Sequence, residues 1–598
     1  MPRTTAARTK WRLSAAGRLR FVAGLAVIVL LVVVGNLVAI QGIDTKQAAA
    51  KALSGRLVTV ALPADRGEIQ ASDGTLLAGN AARYRLVVDQ QNVQQYERTP
   101  AGADEDAEPE LVGAWGAAQD LAKVLDTDAG LLFPELDGEA RWNVVATGLT
   151  SEVRAQIEEL GITGISFEEY TIRSYPAGGV AGSLVGFVGS DGAALAGLEL
   201  SYDEMLRGRD GEQQYERGAR GERIPLGDNS TTPAVDGTGI RLTIDSTIHH
   251  YAQEAIASAV KEHKAEWGTV VITEVGTGRI LAAAEAPSVD PNNPGGADAP
   301  DRGSRVFSAA FEPGSTSKMV TVAGLLEEGL ATPEDEFVVP DTWKAANGEE
   351  FRDSSPHEDE NLTLAGILAQ SSNTGTLMAG EALTPQQRHD YLERFGFGQS
   401  SGIPFPGENS GILHPVEDWD GRTAYTVMFG QGVSANAIQT TSAMAAVANG
   451  GVMAAPRLVD GTVDSSGRVV PTERREDRRV VSEETAASVL DMLEHVVVDG
   501  TAGNAEIGGY RAAGKTGTAQ APSDSGGYDG YTSSFVGVAP VDDPRIAVSV
   551  TLQRPQEGYY GGTSAAPVFS DVAGFTLRHL HVPPSTGSPS DTPVEWED

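Results

Sequence analysis

The chain has 598 residues, more than one ordinary hydrophobic core accommodates, so its length predicts several domains. Hydrophobic residues make up 40% of it, which is typical of a globular chain rather than a disordered one. The formal net charge of -37 at pH 7 disfavours nucleic acid as a partner, because an acidic surface repels phosphates. The absence of cysteine excludes a disulfide, a thiolate nucleophile and a Cys-ligated metal.

The nine histidines form no cluster with the spacing of metal ligands. The nearest approach to one is the adjacent pair His249-His250, which we interpret as part of a helix surface. We therefore expect no metal site.

The charges at the start of the chain predict a membrane anchor. Residues 1–20 carry six Arg or Lys and no acid, and residues 21–40 (FVAGLAVIVLLVVVGNLVAI) carry no charge. About 20 apolar helical residues cross a hydrocarbon core of ~30 Å, and the basic flank should stay in the cytoplasm. The alternative is a cleaved signal peptide. It is disfavoured because the apolar run is long and the following QGIDTKQ lacks a small-x-small cleavage site.

A first structured region is predicted over residues 57–225. It alternates strand-like pieces such as RYRLVVD with helical ones such as LVGAWGAAQDLAKVL. The acidic stretch 97–110 is predicted to be an exposed loop, and GDNSTTPAVDGTG to be a linker to the next region.

A second region is predicted over residues 236–580. It opens with the alternating strand GIRLTID, the amphipathic helix STIHHYAQEAIASAVKEH and a hairpin in WGTVVITEVGTGRILAAAEAP. A helix-rich middle follows, and YRAAGKTGTAQ, TSSFVGVAPV and RIAVSVTLQ return to strands. This order predicts an α+β domain with an antiparallel sheet flanked by helices. The low-complexity residues 582–598 are predicted to be a disordered tail.

FEPGSTSKMV, residues 311–320, places Ser315 and Lys318 three positions apart. On a helix these positions share a face, so Lys318 could take the proton of the Ser315 hydroxyl, a weak nucleophile without a base. Pro313-Gly314 favours a helix start, whose free N–H groups stabilise developing anions. Lysine must be neutral to accept a proton, which predicts burial or a second cation to lower its pKa.

A second cation is available in RAAGKTGTAQ. Lys515, Thr516 and Thr518 lie on a predicted strand and suit a carboxylate ligand, while Gly517 could let a substrate backbone approach the strand edge. The strand could also supply a main-chain N–H to an oxyanion hole.

The third element is SSNTGT, in which Ser371 and Asn373 follow the helical piece LTLAGILAQ. Each element has a competing interpretation as ordinary structure. Ser-x-x-Lys also occurs at Ser258 and Lys261, and Ser-x-Asn at Ser434-Ala435-Asn436. The three elements in this order are nevertheless the set found in penicillin-binding proteins and class A β-lactamases.

Over nearly all of its length after the anchor, the chain resembles the class B penicillin-binding proteins, and most of all their division-specific members. DRGEIQASDGTLLA, RSYPAGGVAGSLVGFVG and GLE resemble the family's non-catalytic signatures. LTIDSTI, FEPGSTSK, SSNTG, FGQGVSANAIQ, GKTGTA and YYGGTSAAPVF follow in the family order. The family usually has threonine where this chain has Asn436.

The resemblance implies a D,D-transpeptidase that cross-links peptidoglycan stem peptides outside the membrane. Ser315 would attack the penultimate D-alanine carbonyl and Lys318 would be the base. Ser371 would relay the proton to the leaving D-alanine, with Asn373 holding Lys318 and the donor amide. Lys515, Thr516 and Thr518 would bind the terminal carboxylate, and the N–H groups of Ser315 and Thr518 would form the oxyanion hole.

The resemblance also implies acylation of Ser315 by β-lactams, no cofactor, and an N-terminal pedestal domain of the family's dimerisation type that docks partners. A membrane glycan polymerase and division proteins are the partners expected. Four alternatives stay open: a D,D-carboxypeptidase, a β-lactamase, a side-wall transpeptidase, and a scaffold that retains the fold for binding. The β-lactamase is disfavoured because no Glu-x-x-Leu-Asn-like segment follows SSN.

Overall fold

The computed structural model describes residues 14–39, 41, 56–99, 108–218, 223–225, 229–464, 466–523 and 526–597. Helix α1 (Ala15–Val38) begins at the N-cap Ser14 and is long and apolar enough to cross a membrane. It contains most of the predicted span 21–40. Most of the basic tail and of the predicted acidic loop lies outside the described residues.

The described residues before residue 236 form nine strands and seven α-helices. The strands are β1 (Leu57–Leu62), β2 (Ile69–Gln70), β3 (Leu76–Val88), β4 (Glu97–Arg98), β5 (Glu110–Leu111), β6 (Asn143–Leu149), β7 (Ile165–Ser174), β8 (Gly211–Glu216) and β9 (Ser230–Thr232). The helices after α1 are α2 (Gly113–Leu125), α3 (Ala129–Leu136), α4 (Ser151–Glu159), α5 (Gly182–Val185), α6 (Gly197–Ser201) and α7 (Asp203–Leu206).

The remaining elements build the larger second region. Its strands are β10 (Gly239–Leu242), β11 (Trp267–Glu274), β12 (Ile280–Ala286), β13 (Glu336–Val339), β14 (Thr342–Lys344), β15 (Glu350–Arg352), β16 (Glu360–Thr363), β17 (Val452–Met453), β18 (Val459–Val463), β19 (Val469–Pro471), β20 (Arg478–Arg479), β21 (Ala513–Pro522), β22 (Tyr528–Ala539) and β23 (Ile546–Gln553). Its helices are α8 (Ser246–His263), α9 (Arg305–Ser308), α10 (Lys318–Glu327), α11 (Leu364–Gln370), α12 (Asn373–Gly380), α13 (Pro385–Arg394), α14 (Thr423–Thr426), α15 (Ala437–Ala448), α16 (Glu483–Val498) and α17 (Gly561–His579).

The chain divides into two compact units. The first consists of residues 1–64 and 208–236, and the second of residues 65–207 and 237–598. In the first unit β1, β8 and β9 form an antiparallel sheet in that order. The segment predicted as a linker therefore contains a strand, β9, whose backbone pairs with β8.

Strand β10 does not belong to the sheet that the sequence assigned to it. Ile240 pairs in parallel with Ile69 of β2, and β10 also pairs with β18. The resulting seven-stranded sheet has the order β19-β18-β10-β2-β3-β6, with β7 on β3, and so combines strands of both predicted regions. Ile69 and Ile240 are fully buried, so this shared sheet is part of one apolar core.

An ion cluster lies buried beside this sheet. Glu199 accepts hydrogen bonds from Arg66 Nε at 2.6 Å and from Arg173 Nε at 2.7 Å, and its side chain is fully buried. All three residues come from the segments that resemble the family's non-catalytic signatures. Burial of a carboxylate requires such compensation by charge and hydrogen bonds.

We expect Glu199→Ala to lower the free energy of unfolding by about 3–5 kcal/mol, because Arg173 loses its carboxylate partner and Arg66 keeps only Asp203, 2.7 Å from its Nη1. Thermal and denaturant unfolding of the detergent-solubilised chain would measure this loss. Glu158→Ala is the control, since its pair with Arg154 is exposed and its loss should change stability negligibly. Similar stability of the two variants would contradict a structural role for the cluster.

The second region contains the predicted antiparallel sheet, in the order β12-β11-β23-β22-β21. The hairpin β11–β12, helix α8 and the three late strands are all confirmed. Every residue of β23 is buried, so both faces of the sheet are covered. Helices α8 and α17 pack side by side on the sheet, and α15 packs on its central strands. The α+β prediction is correct.

His249 is not on a helix surface as predicted. It is 1% exposed, and its Nε2 lies 3.1 Å from the Ala283 carbonyl oxygen. Burial lowers the pKa of His249 to about 4, so the ring is neutral at physiological pH. The described residues contain no group of three or more metal-ligating side chains.

The predicted disorder of residues 582–598 also differs from the structure. Residues 592–597 run beside β16, where Thr363 N–H donates to Val594 O at 3.1 Å. Low-complexity composition indicates that a segment cannot form a core of its own. It does not exclude packing of that segment against a core formed by the rest of the chain.

Candidate active site

Ser315 lies on a tight turn directly before a buried helix. The turn is a 3₁₀ helix, Gly314–Ser317, and α10 follows it at Lys318. The Thr316 hydroxyl donates to Pro313 O at 2.8 Å and the Ser317 hydroxyl to Gly314 O at 3.0 Å, so both neighbours secure the turn. Ser315 is half-buried and lines a cleft.

Lys318 is fully buried beside Ser371. Its Nζ donates to the Ser371 carbonyl oxygen and lies 3.4 Å from the Ser371 hydroxyl. Burial lowers the pKa of Lys318 to about 7, although the nearby Asp353 carboxylate acts in the opposite direction. A large fraction of this amine is therefore neutral near pH 7 and able to accept a proton.

Ser371 occupies a conformation that few non-glycine residues adopt. It ends α11 with φ 61° and ψ 29°, in the left-handed region. Such a position costs of order 1 kcal/mol or more and persists at sites where the surroundings require it. Here it presents both oxygens of Ser371 to the Lys318 ammonium.

Asp353 organises the loop that carries the Ser-x-Asn element. Its carboxylate accepts hydrogen bonds from the Ser372 hydroxyl at 2.6 Å, from the backbone N–H of Asn373, and from Thr374 N–H at 3.1 Å. His357 Nε2 lies 3.1 Å from the same carboxylate. An acid at the start of α12 also complements the positive end of the helix dipole.

Asn373 lines the cleft but has a different partner from the one expected. Its Nδ2 donates to the Arg352 carbonyl oxygen at 3.3 Å, at the end of β15. In the described structure its amide nitrogen is therefore engaged with the β14–β15 hairpin.

Lys515 is fully buried behind the cleft wall. Its Nζ lies 3.2 Å from the Thr516 hydroxyl oxygen, which is also 3.0 Å from the hydroxyl of Thr501. Burial lowers the pKa of Lys515 well below its ordinary value, and the charge of Lys318 lowers it further. Of the two causes predicted for a lowered pKa of Lys318, burial and a second cation, burial has the main effect.

Gly517 is required by the packing of β21. A Cβ at this position would lie 2.3 Å from the Ser534 hydroxyl and 2.8 Å from the Pro313 carbonyl oxygen. Only glycine therefore lets β21 approach the turn that carries Ser315. This contact joins two of the three sequence elements directly.

Strand β21 stands at the end of the five-stranded order, as expected of an edge that could pair with an extended peptide. The Thr518 hydroxyl accepts a hydrogen bond from Gly561 N–H at 3.1 Å. Gly561 begins the 19-residue helix α17, whose N-terminus favours anions. A carboxylate at this end of β21 would meet hydroxyl groups and a positive helix end.

The three sequence elements converge on one cleft of about 940 Å³. Of the predicted residues, five line it: Ser315, Ser371, Asn373, Thr516 and Thr518. Lys318 and Lys515 lie buried behind its wall, each in contact with a lining residue. The candidate nucleophile Ser315 and hydroxyl groups of β21 therefore line one cleft, with the amine of Lys318 directly behind its wall, an arrangement suited to acyl transfer.

The repeated motifs lie elsewhere. Ser258 and Lys261 are exposed on α8. Asn436 is buried as the N-cap of α15, where it forms a capping box with Gln439. Neither repeated motif therefore lines the cleft, and each is part of ordinary helix structure.

Sequence reasoning missed Asp353, Thr501 and the N-terminus of α17. Asp353 lies 20 residues before Asn373 in a turn-rich stretch, so no local pattern connected the two. The helix α17 could have been predicted from its apolar spacing, but its contact with Thr518 depends on the packing of the sheet.

Two family models match the chain. The penicillin binding protein transpeptidase domain matches residues 268–574, and the penicillin-binding protein dimerisation domain matches residues 61–242. The penicillin-binding protein PbpB of Mycobacterium tuberculosis is 33% identical over 556 residues, which cover 89% of this chain and 81% of the relative. The chain belongs to the class B penicillin-binding proteins.

Other members agree with this assignment. The peptidoglycan D,D-transpeptidase FtsI of Escherichia coli is 32% identical over 456 residues, which cover 76% of this chain and 75% of that protein. The crystal structure of penicillin-binding protein 3 from M. tuberculosis, complexed with aztreonam, has a TM-score of 0.68. The two sequences are 29% identical, and the match covers 90% of this chain and 100% of the chain in that crystal structure. This penicillin-binding protein thus carries a transpeptidase domain, a dimerisation domain and one helix suited to a membrane anchor.

Proposed function

We propose that this penicillin-binding protein is the peptidoglycan D,D-transpeptidase of septal wall synthesis, and that Ser315 is its nucleophile. The convergence of Ser315, Ser371 and β21 on one cleft, with a buried amine behind it, supports this proposal most strongly. The likeness to FtsI and PbpB relatives favours division over side-wall growth.

In the proposed first step the neutral amine of Lys318 accepts the Ser315 hydroxyl proton. The Ser315 oxygen forms a bond to the carbonyl carbon of the penultimate D-alanine, and the peptide bond to the terminal D-alanine breaks. Ser371 returns the proton to the leaving amine, since its hydroxyl lies 3.4 Å from Lys318 Nζ. Backbone N–H groups of Ser315 and Thr518 stabilise the oxyanion.

The terminal carboxylate of the donor would bind at Thr516 and Thr518. Lys515 would supply charge from behind the wall through its contact with Thr516. Burial lowers the pKa of Lys515, and a carboxylate bound at Thr516 and Thr518 would act against that lowering. In the second step an amine of a neighbouring stem attacks the acyl-enzyme and releases Ser315.

The proposed topology places the basic N-terminal tail in the cytoplasm and the cleft outside the membrane. The pedestal would dock a membrane glycan polymerase and division proteins. A β-lactam would acylate Ser315 as an analogue of D-alanyl-D-alanine.

Incubation with a synthetic pentapeptide ending in D-Ala-D-Ala, with and without a D-amino acid as acceptor, tests the reaction. We expect D-alanine release and a product in which the acceptor replaces the terminal residue. Release of a tetrapeptide alone at saturating acceptor would support the carboxypeptidase alternative. In cells depleted of this protein, lengthening without division would support the septal assignment. Rounding of the depleted cells would support a side-wall role.

A further inference from the structure

The segment 592–597, here called the strap, forms an antiparallel bridge with β16 in the small sheet that precedes α11. Thr363 N–H donates to Val594 O at 3.1 Å, and Trp596 N–H donates to Asn361 O at 3.2 Å. These two bonds enclose an antiparallel bridge on the side of β16 that does not face β13. The order is therefore β13, β16, strap.

The strap side chains alternate as they do in a half-buried strand. Thr592, Val594 and Trp596 are partly buried, and the residues between them are exposed. Trp596 Nε1 donates to Phe337 O on β13 at 3.2 Å, and the Thr592 hydroxyl donates to Asp491 on α16 at 2.8 Å. The strap thus contacts β13, β16 and α16.

The strap also contacts the first turn of α11 directly. The Thr363 hydroxyl donates to Pro593 O at 2.6 Å and accepts the Gly366 N–H at 3.0 Å, so one group connects strap and helix. A Cβ at Gly366 would lie 1.8 Å from Val594 O. Glycine is less favourable than alanine inside a helix, and this close approach accounts for its presence here.

Helix α11 ends at the catalytic cleft. It has only seven residues, a length of about 10 Å at 1.5 Å per residue, so a shift at its start reaches its end. The next residue is Ser371, whose two oxygens face Lys318. The strap and the proposed proton relay are therefore at opposite ends of one short rigid element.

We propose that the strap is a positioning element for catalysis, which holds α11 so that Ser371 faces Lys318. This inference rests on the proposed function, in which Lys318 is the base and Ser371 the relay. Trp596, Val594 and Gly366 act through α11 and touch no substrate.

Two variants of the full-length protein remove the strap in independent ways. One ends at Gly587, which keeps the contacts of Ser585 with Arg511 and Asp542. The other is Gly366→Ala, whose methyl group displaces Val594 while alanine favours the helix itself. Asp591→Ala, an exposed residue outside the strap, is the matched control.

The readout is the second-order rate constant of acylation by a fluorescent penicillin, expressed per acylatable site and followed from pH 5 to pH 9. We expect a loss on the order of 10²-fold in both variants, the size of effect that a misplacement of about 1 Å can have on the rate. We expect the midpoint of the pH profile to rise, since loosening the wall lets water reach Lys318. In the truncated chain, Gly366→Ala should have no further effect.

An unchanged rate constant and pH midpoint in both variants would overturn the proposal, even if their thermal stability fell. Additive losses from truncation and Gly366→Ala would also overturn it, because the two changes would then act by different routes. Failure of the proposed function is a separate result, in which wild-type protein acquires no label on Ser315.

Discussion

Ser315→Ala is expected to abolish covalent labelling by penicillin and to reduce transpeptidation by about 10⁶-fold, the size of loss seen when a serine nucleophile is removed. The hydroxyl forms the acyl bond, and no neighbouring group can replace it: Thr316 and Ser317 donate their hydroxyls to backbone carbonyls and are buried. Mass spectrometry after exposure to a β-lactam should find one adduct, on the wild-type peptide that contains Ser315.

Ser258→Ala is the matched control for this result. Ser258 precedes Lys261 with the same spacing, yet both are exposed on α8 away from the cleft. It should label at the wild-type rate. Ser315 is half-buried, so its loss should leave thermal unfolding nearly unchanged. An adduct on another residue, or a Ser315→Ala variant that still supports division, would favour the scaffold alternative.

Lys318→Met is expected to lower the acylation rate constant by about 10²–10⁴-fold, the usual contribution of a general base. Methionine fits the buried space but cannot accept a proton. Lys318→Arg should be equally impaired, because a guanidinium stays charged. Stopped-flow acylation of both variants measures the loss. Lys261→Met, in the exposed second Ser-x-x-Lys motif on α8, is the control.

The wild-type enzyme should show the pH dependence of this base. Burial lowers the pKa of Lys318 to about 7, so the neutral amine predominates above that pH. The acylation rate constant should therefore rise with pH up to a plateau, with a midpoint near 7. This rise of the rate constant with pH should be absent in Lys318→Met. A rate that keeps rising to pH 10, near the ordinary pKa of lysine, would contradict a buried neutral base.

Local sequence patterns were sufficient for several elements of the fold. The segments YRAAGKTGTAQ, TSSFVGVAPV and RIAVSVTLQ predicted β21, β22 and β23, and the apolar spacing of STIHHYAQEAIASAVKEH predicted α8 with its bounds. The charge-free run predicted α1. These features depend on neighbours within a few residues, which the sequence displays directly.

The candidate site was predictable in composition but not in mechanism. Ser315, Ser371 and Thr516 could be named because rare motifs occur in a specific order. The burial that lowers the pKa of Lys318 could not be read from the sequence, because its surroundings come from segments far apart. Asp353 was missed for the same reason.

The sequence by itself determined the apolar helix α1, the α+β class and the residues available for acyl transfer, since each depends on local periodicity or on residue type. Only the tertiary structure decided that β10 joins the shared sheet, that Gly517 serves packing against Pro313, and that residues 592–597 dock on β16. These outcomes depend on which distant backbones approach each other. Such contacts are set by the packing of the whole core, which no short stretch of chain encodes.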